Sequence, residues 1–220
     1  MSKYKKNKQS KKKKIIQKWK SDYDEPVEQW YHKNIDIQNR VIYFGAWQPS
    51  EQINLEESEW LVNDFSAQNI IKGLYLLDKL NYEPITVIWF SYGGDWDAGM
   101  AIFDFIKQIK SPVIIKAYGR IRSMGTIVLQ SCKNRLLSYH CEFLIHYGTA
   151  GIGEVHAKDF ERFADDLKKC NEIMEKIYLK RIREKHPRFK LEKLQNEYLK
   201  YDKYLSAKEA VDLGLADGII

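Results

Sequence analysis

Apolar runs of strand length alternate with amphipathic runs of helix length in the middle of this chain, and that alternation restricts the folds open to it. Residues 85–90 and 112–118 are short apolar runs, whereas residues 97–109 and 124–132 have helical periodicity. Few residues separate one run from the next. Strands and helices that alternate with short connections form a largely parallel sheet joined by right-handed crossovers. The sequence therefore predicts an α/β fold.

Further strands and helices are predicted on both sides of this block. Helical spacing of apolar residues predicts a long charged helix at 155–184, which His186 and Pro187 end. Ser206 caps a short helix that Gly214 stops. The other predicted elements are a strand at 40–44 and helices at 56–80 and 191–200.

Ser123 occupies the junction between the apolar run 112–118, which Gly119 ends, and the helix that begins at residue 124. Unpaired backbone N–H groups in a first helical turn favour developing negative charge, so a serine here can act as a nucleophile. Serine is also a common helix N-cap, and the GxSxG spacing of α/β-hydrolases is absent. Taken alone, Ser123 is compatible with either role.

Chemistry at Ser123 would need partners, and candidates occur on both sides of it. Gly93 follows the apolar run 85–90, so it falls just beyond a predicted strand end, where α/β sheets bind ligands. His146 follows an apolar segment, and Asp202 lies in the last part of the chain. A serine, a histidine and an aspartate with a glycine turn can supply nucleophile, base, orienting acid and oxyanion donor.

These residues lie in motifs that resemble those of the proteolytic subunit of the ATP-dependent Clp protease and its phage and viral relatives. The resemblance runs from about residue 41 to residue 219, which is most of the chain. Five fragments carry it in the family's order: Ser91-Tyr92-Gly93-Gly94, Gly119 to Gly125, Ile145-His146, Lys203 to Ala210, and Gly214-Leu215-Ala216-Asp217.

The resemblance implies a serine endopeptidase in which Ser123 is the nucleophile, His146 the base and Asp202 the acid. It also implies an oxyanion hole formed by the backbone N–H groups of Gly93 and Met124, with Gly94 as an alternative if Tyr92 shifts the turn. The implied fold is the superhelical β-α-β repeat that Clp proteases share with crotonases. The long helix would project as a handle between two rings, so a homo-oligomeric ring is expected.

Several residues near the implied site depart from the family pattern. Tyr92 replaces a proline in the glycine turn, and Arg120 and Arg122 replace small or neutral residues before the serine. Tyr147 replaces the glutamine that follows the histidine. Tyr92, Arg122 and Tyr147 sit where substrate binding is expected, so the family's cleavage specificity does not transfer to this chain.

The positive charge of the chain is concentrated at one end. The first 20 residues contain ten lysines and no acid, so the remainder is mildly acidic although the whole chain carries +6. We predict a disordered Lys-rich arm at 1–24, a linker at 25–40 and a peptidase domain at 41–220. The arm is either a solvated segment or a binding site for an acidic protein or nucleic acid.

Composition and motifs argue against several other classes. No apolar run approaches the roughly 20 residues that span a bilayer, and no apolar core follows the N-terminal lysines as in a secretory signal. Cys132, Cys141 and Cys170 form no CxxC pair, which favours free thiols in a cytoplasmic protein. Metal-ligand spacings and a Walker A loop are absent, so no metal or cofactor is predicted. ATP would be used by a separate unfoldase.

Three alternatives to a Clp-type proteolytic subunit stay open at this point. A phage head maturation protease would trim scaffold and capsid proteins without an ATPase, and the basic arm and the altered flank of Ser123 favour it. A crotonase-like acyl-CoA enzyme would share the sheets and the paired oxyanion donors. An inactive subunit would only assemble, or bind a partner through its arm.

Overall fold

A computed structural model of the protein describes residues 34–44, 61–149, 151 and 153–220. Its strands are β1 (Ile35–Asp36), β2 (Val41–Phe44), β3 (Leu61–Val62), β4 (Ile85–Ser91), β5 (Gly93–Gly94), β6 (Val113–Arg122), β7 (Asn134–Leu137), β8 (Glu142–Ile145), β9 (Lys203–Leu205) and β10 (Gly218–Ile219). Its helices are α1 (Asp64–Leu80), α2 (Trp96–Gln108), α3 (Met124–Leu129), α4 (Ala157–Lys185), α5 (Leu191–Lys193), a π-helix (Leu194–Leu199) and α6 (Ala207–Leu213).

The main sheet has eight strands and is mostly parallel. Its path runs β1-β2-β4-β6-β7-β10, and β8 and β9 extend it beside the second half of β6. Among the described residues, only β1–β2 and β8–β9 pair in antiparallel fashion, while β3 and β5 form a separate parallel pair. The predicted α/β class with a largely parallel sheet is therefore confirmed.

The core explains why these runs become strands. Alternate residues of β4 are buried, and Val87 and Trp89 on one face are almost fully enclosed. Ile115 and Ile121 of β6 pack into the same core cluster. The other face of β4 is only half-buried, which places the larger share of apolar contact on one side of the sheet.

The first long helix begins later than the sequence indicates. The predicted helix 56–80 is wrong at its start, because Leu61 and Val62 form β3 and α1 begins at Asp64. Asn63 caps this helix by accepting from the Ser66 N–H, and the Ser66 hydroxyl accepts from the Asn63 N–H in return. Residues 56–60 of the prediction lie outside the described residues.

The strand before Ser123 is longer than predicted, and the helix after it is shorter. Gly119 does not end the strand: β6 continues to Arg122, and Gly119 sits within it at φ +66°. The helix predicted for 124–132 ends at Leu129. Beyond it, the N–H groups of Gln130, Ser131 and Cys132 donate three residues back, which tightens the turn and ends the α-helix.

The predicted long helix is confirmed as α4, which has 29 residues and a length of about 44 Å. Its buried residues, from Met174 to Ile182, all lie in its second half. The predicted helix 191–200 is helical, but most of it adopts π-type hydrogen bonding between Leu194 and Leu199. In the described part of the chain, no helix is long and apolar enough to span a membrane.

The predicted arm at 1–24 and most of the predicted linker at 25–40 lie outside the described residues. Within that linker, Ile35 and Asp36 form β1 and pair with Ile42 and Val41 of β2. The main sheet therefore includes residues that precede position 41.

Candidate active site

Ser123 lies where β6 ends and α3 begins, in a backbone conformation that few residues adopt. Its φ of 48° and ψ of −122° place it in the positive-φ region, which costs a non-glycine residue about 1–3 kcal/mol. The serine side chain makes no capping hydrogen bond to the helix. Its N–H donates to Leu144 O on β8 at 2.8 Å, which fixes the backbone while the hydroxyl points elsewhere.

The hydroxyl of Ser123 faces a histidine and an aspartate in series. His146 Nε2 lies 2.9 Å from Ser123 Oγ, and His146 Nδ1 lies 3.3 Å from Asp202 Oδ1. The histidine side chain is largely buried at 16% exposure, whereas the aspartate is 59% exposed. The structure thus brings together the three residues that the sequence singled out, in the order serine, imidazole, carboxylate.

Sheet pairing accounts for the meeting of His146 and Asp202. Ile145 at the end of β8 pairs with Lys203 at the start of β9, and the strands run antiparallel. The residue after Ile145 and the residue before Lys203 are therefore neighbours across the same ladder. One further bond, from Tyr147 N–H to Leu199 O at 3.0 Å, ties the chain after the histidine to the end of the π-helix.

The glycine turn after β4 packs directly against the serine. A Cβ placed on Gly93, whose φ is +96°, would lie 2.7 Å from Ser123 Cβ and 2.9 Å from Arg122 O. Only glycine permits this approach. The Gly93 N–H donates to Ser91 Oγ at 3.0 Å, so the donor that the sequence predicted for an oxyanion is engaged inside its own turn.

The backbone N–H groups that follow Gly93 and Ser123 have other surroundings than the Gly93 N–H. Asp95 N–H donates to Val62 O of β3 at 2.7 Å. The register that places Val62 opposite Gly94 makes Asp95, not Gly94, the donor to Val62 O, so the Gly94 N–H lies outside this ladder. Met124 provides a further N–H at the first residue of α3, one position after the serine.

Comparison with known proteins is consistent with this arrangement. The sequence profile described as "Clp protease" matches residues 49–220. The chain belongs to the Clp protease family. Among its relatives, ATP-dependent Clp protease proteolytic subunit 1 of Chlamydia caviae is 34% identical over 165 residues, which cover 72% of this chain and 82% of the relative.

Two further relatives of this Clp protease family member cover more of the chain. ATP-dependent Clp protease proteolytic subunit 2 of Treponema pallidum is 32% identical over 81% of this chain and 86% of its own length. The proteolytic subunit of Deinococcus radiodurans is 31% identical over 84% of this chain and 81% of its own length. The chain is accordingly a Clp-type, serine-type peptidase, and this assignment replaces the acyl-CoA alternative.

A buried hydroxyl pair supports the serine of this Clp-type peptidase, and the sequence gave no indication of it. Thr126 Oγ1 donates to Ser123 O at 2.6 Å and lies 2.6 Å from Tyr178 OH on α4. Tyr178 is fully buried, and that burial raises the pKa of its phenol above the usual value. The tyrosine of α4 thereby links the long helix to the turn that carries Ser123.

A second hydrogen-bond group supports the histidine and acid side. Tyr147 OH donates to Glu175 Oε1 at 2.5 Å, and Gln195 Nε2 of the π-helix donates to the same oxygen at 3.0 Å. Glu175 is buried at 8% exposure. Burial and then the bond to Glu175 raise the pKa of Tyr147 above its usual value. The only sign of these hydrogen bonds in the sequence is that Glu175 lies among the apolar residues of the long helix.

The thiols of this Clp-type peptidase take no part in the contacts among Ser123, His146 and Asp202. Cys132 and Cys141 are free and buried, and their burial raises the pKa of each thiol to about 12. Cys170 is a free thiol on α4. Among the described residues, no group of three histidine, cysteine or acidic side chains has an arrangement that could hold a metal ion.

Proposed function

We propose that Ser123, His146 and Asp202 form the catalytic triad of this peptidase and hydrolyse peptide bonds in protein substrates. The 2.9 Å separation of Ser123 Oγ and His146 Nε2 is the observation that carries this proposal. That distance is within hydrogen-bonding reach, which a general base needs in order to take the hydroxyl proton. The carboxylate 3.3 Å from Nδ1 favours the tautomer in which Nε2 is free to accept.

The reaction follows from these positions. Ser123 Oγ attacks the substrate carbonyl carbon while His146 Nε2 takes its proton, which gives a tetrahedral intermediate. The imidazolium then donates that proton to the leaving amine, and an acyl-enzyme remains on Ser123. Water repeats the sequence and releases the acid product. Asp202 stabilises the imidazolium without taking its proton.

We infer that the oxyanion is bound by the N–H groups of Met124 and Gly94. The supporting observation is that the Gly93 N–H already donates to Ser91 Oγ, whereas Asp95, not Gly94, donates to Val62 O and leaves the Gly94 N–H outside the β3–β5 ladder. A donor of this kind contributes about 3–4 kcal/mol to the transition state. Gly99 on α2 supports the arrangement, because a Cβ there would lie 2.3 Å from Met124 Cγ and displace its side chain.

We further propose that the protein acts as a homo-oligomeric ring and receives substrates from a separate ATPase unfoldase, as the names of its ATP-dependent relatives suggest. Exposed apolar side chains on α1 support association, since Phe65, Tyr75, Leu76 and Leu80 are each more than two-fifths exposed. Native mass measurement would give the subunit number. A monomer at micromolar concentration would refute the ring.

The Lys-rich arm supports a second candidate role, cleavage of scaffold or capsid proteins in phage head maturation without an ATPase. Ten lysines in the first 20 residues would bind nucleic acid or an acidic protein in a salt-dependent way. Copurification with an ATPase would support the Clp-type role, whereas copurification with capsid proteins would support the head maturation role. Deletion of residues 1–20 should weaken the second interaction, and unchanged binding at low salt would exclude the arm from it.

Labelling with a fluorophosphonate probe tests the triad directly. The probe should modify Ser123 in the native protein, and Ser123→Ala should lose both labelling and peptide hydrolysis by more than about a thousandfold. An inactive assembly subunit would show no labelling in the unaltered protein. Hydrolysis that persists in Ser123→Ala would assign the activity to another residue.

A further inference from the structure

Two arginines beside the active site are packed against aromatic rings from neighbouring segments. The group, termed here the arginine–aromatic cluster, consists of Phe90, Tyr92, Arg120, Arg122 and Tyr204. Arg120 Cζ lies 4.5 Å from the ring centre of Tyr92 and 5.2 Å from that of Phe90, and its Nη1 donates to Tyr92 OH. Arg122 Cζ lies 5.2 Å from the Tyr92 ring and 5.7 Å from the Tyr204 ring.

The backbone of β6 builds this cluster. A Cβ on Gly119 would lie 2.5 Å from Phe90 Cε2, so the phenylalanine ring occupies the space that a side chain would need. Ile121 points into the core with no exposed surface. Because successive side chains of a strand point to opposite faces, Arg120 and Arg122 lie together on the face away from that core.

The cluster lies next to Ser123 and also close to Asp202 in the sequence. Tyr92 immediately precedes Gly93, whose Cα packs against Ser123, and Arg122 immediately precedes Ser123 itself. Tyr204 is two residues beyond Asp202. Arg120 lies three residues before the nucleophile, or about 10 Å along an extended strand. An extended peptide at Ser123 covers that distance with about three of its own residues.

The two arginines differ in how their charge is balanced. Arg122 Nε donates to Glu142 Oε1 at 2.6 Å, and its Nη2 is ion-paired with the same oxygen. Within residues 61–149, 151 and 153–220, no carboxylate is paired with Arg120. Its guanidinium is held by the hydroxyl and ring of Tyr92 and by the ring of Phe90, and neither side chain is an anion. A guanidinium fixed in this way presents its remaining donors in a geometry that suits a carboxylate.

We propose that Arg120 forms a substrate subsite for a glutamate or aspartate side chain about three residues from the scissile bond. This inference rests on the proposed function, because it takes Ser123 as the point of cleavage. Tyr92 orients the guanidinium, while Arg122 and Glu142 neutralise each other and support the Tyr92 ring. The resemblance gave neutral residues before the serine, so acidic selectivity here would be a property of this chain.

Peptide binding to Ser123→Ala protein tests the subsite without hydrolysis. The probes are fluorescein-labelled heptapeptides of leucine and alanine in which one glutamate or glutamine is moved through the three positions on each side of the centre. At one position the glutamate peptide should bind about tenfold more tightly than its glutamine partner, which corresponds to one charge-assisted contact. Fluorescence anisotropy at low salt measures the ratio, which 0.5 M salt should reduce.

Further variants of the Ser123→Ala protein identify the residue that causes the preference for glutamate. Arg120→Gln should bring the glutamate-to-glutamine ratio to about one, and Arg120→Lys should keep part of the preference because it keeps the charge. The control is Arg162→Gln on α4, a 77% exposed arginine that should leave the full ratio. Equal affinities for every peptide pair, or an unchanged ratio in Arg120→Gln, would overturn the subsite.

A cleavage assay with the native serine separates this inference from the proposed function. If the ratio in binding depends on Arg120 but no peptide is cleaved and no probe labels Ser123, the triad assignment fails, and Arg120 is a binding site for acidic peptides rather than a cleavage subsite. If peptides are cleaved with no preference for acid, the triad stands and the subsite fails. A loss of thermal stability in Arg120→Gln without any change in the ratio would assign the cluster to sheet packing alone.

Discussion

The nucleophile side and the acid side of the proposed triad are held in different ways. Ser123 sits at the junction of β6 and α3, where its N–H donates to Leu144 O and its carbonyl accepts from Thr126 Oγ1. Asp202, whose side chain is 59% exposed, lies between the π-helix and the short strand β9. The core therefore fixes the nucleophile, whereas a few hydrogen bonds at the edge of the sheet hold the acid.

This difference has a consequence for function. Packing in a dense core permits little adjustment, because each displaced atom loses many contacts at once. Hydrogen bonds at an exposed edge can exchange with water at small cost. We expect the serine geometry to be the same in every assembly state and the position of the acid to respond to neighbouring subunits.

The largest effect is expected from Gly93→Ala on the nucleophile side. The new Cβ would lie 2.7 Å from Ser123 Cβ, at a residue with φ +96°, so the turn or the serine must shift. Loss of one oxyanion donor alone lowers kcat about 10²–10³-fold, and we expect a loss in kcat/KM at the upper end of that range. Gly153→Ala is the control, because a Cβ there meets no atom within 4 Å. Equal activity of the two variants would show that the turn adapts.

Asp202→Asn should have a smaller effect. The amide cannot hold the imidazole tautomer as the carboxylate does, which costs about 10⁴-fold where the acid is buried. Because this aspartate is 59% exposed, water can take over part of its role, and we expect a loss of about 10²-fold in kcat. The unfolding free energy should change by less than about 0.5 kcal/mol. A loss of kcat as large as that of Ser123→Ala would contradict the idea that the acid side is held less tightly than the nucleophile side.

Tyr147→Phe examines the hydrogen bonds that hold the acid side. It removes the donor 2.5 Å from Glu175 Oε1 and leaves a buried carboxylate with Gln195 as a remaining partner. Thermal unfolding should show a loss of about 1–2 kcal/mol, and activity should fall only severalfold. Tyr139→Phe, at a tyrosine that is 71% exposed, should leave both unchanged. Identical unfolding of the two variants would mean that this bond does not stabilise the fold.

The smallest effect concerns the strain at Ser123. Ser123→Ala keeps a Cβ at φ 48°, whereas Ser123→Gly removes it. Chemical denaturation should therefore find the glycine variant more stable than the alanine variant by about 1 kcal/mol, even though both are inactive. A glycine variant that is no more stable than the alanine variant would show that the conformation at Ser123 is not strained.

Some of the fold could be predicted from local patterns. The parallel sheet and the long helix α4 were predicted because apolar periodicity reports directly on which face of an element is buried. The start of α1 was missed because Trp60 and Leu61, which precede the Asn63 cap, fit the apolar pattern of the helix. Gly119 was taken as a strand end, but β6 continues beyond it because Arg120 to Arg122 pair with β8.

The candidate site was predictable to a similar degree. Its three principal residues occur in short motifs that resemble those of the Clp family, and that resemblance selected them. Thr126 with Tyr178, and Tyr147 with Glu175, belong to no motif and join segments far apart in the chain. The engaged N–H of Gly93 depends on the rotamer of Ser91, which a sequence does not specify.

The sequence by itself determined the order of strands and helices and the chemical groups available at their ends, because periodicity and residue type are local properties. Only the tertiary structure decided that Ser123 and His146, 23 positions apart, lie within hydrogen-bonding distance. It also decided that Arg122 has a carboxylate partner. The physical reason is strand register, since a shift of one residue would turn each of these side chains to the opposite face of the sheet.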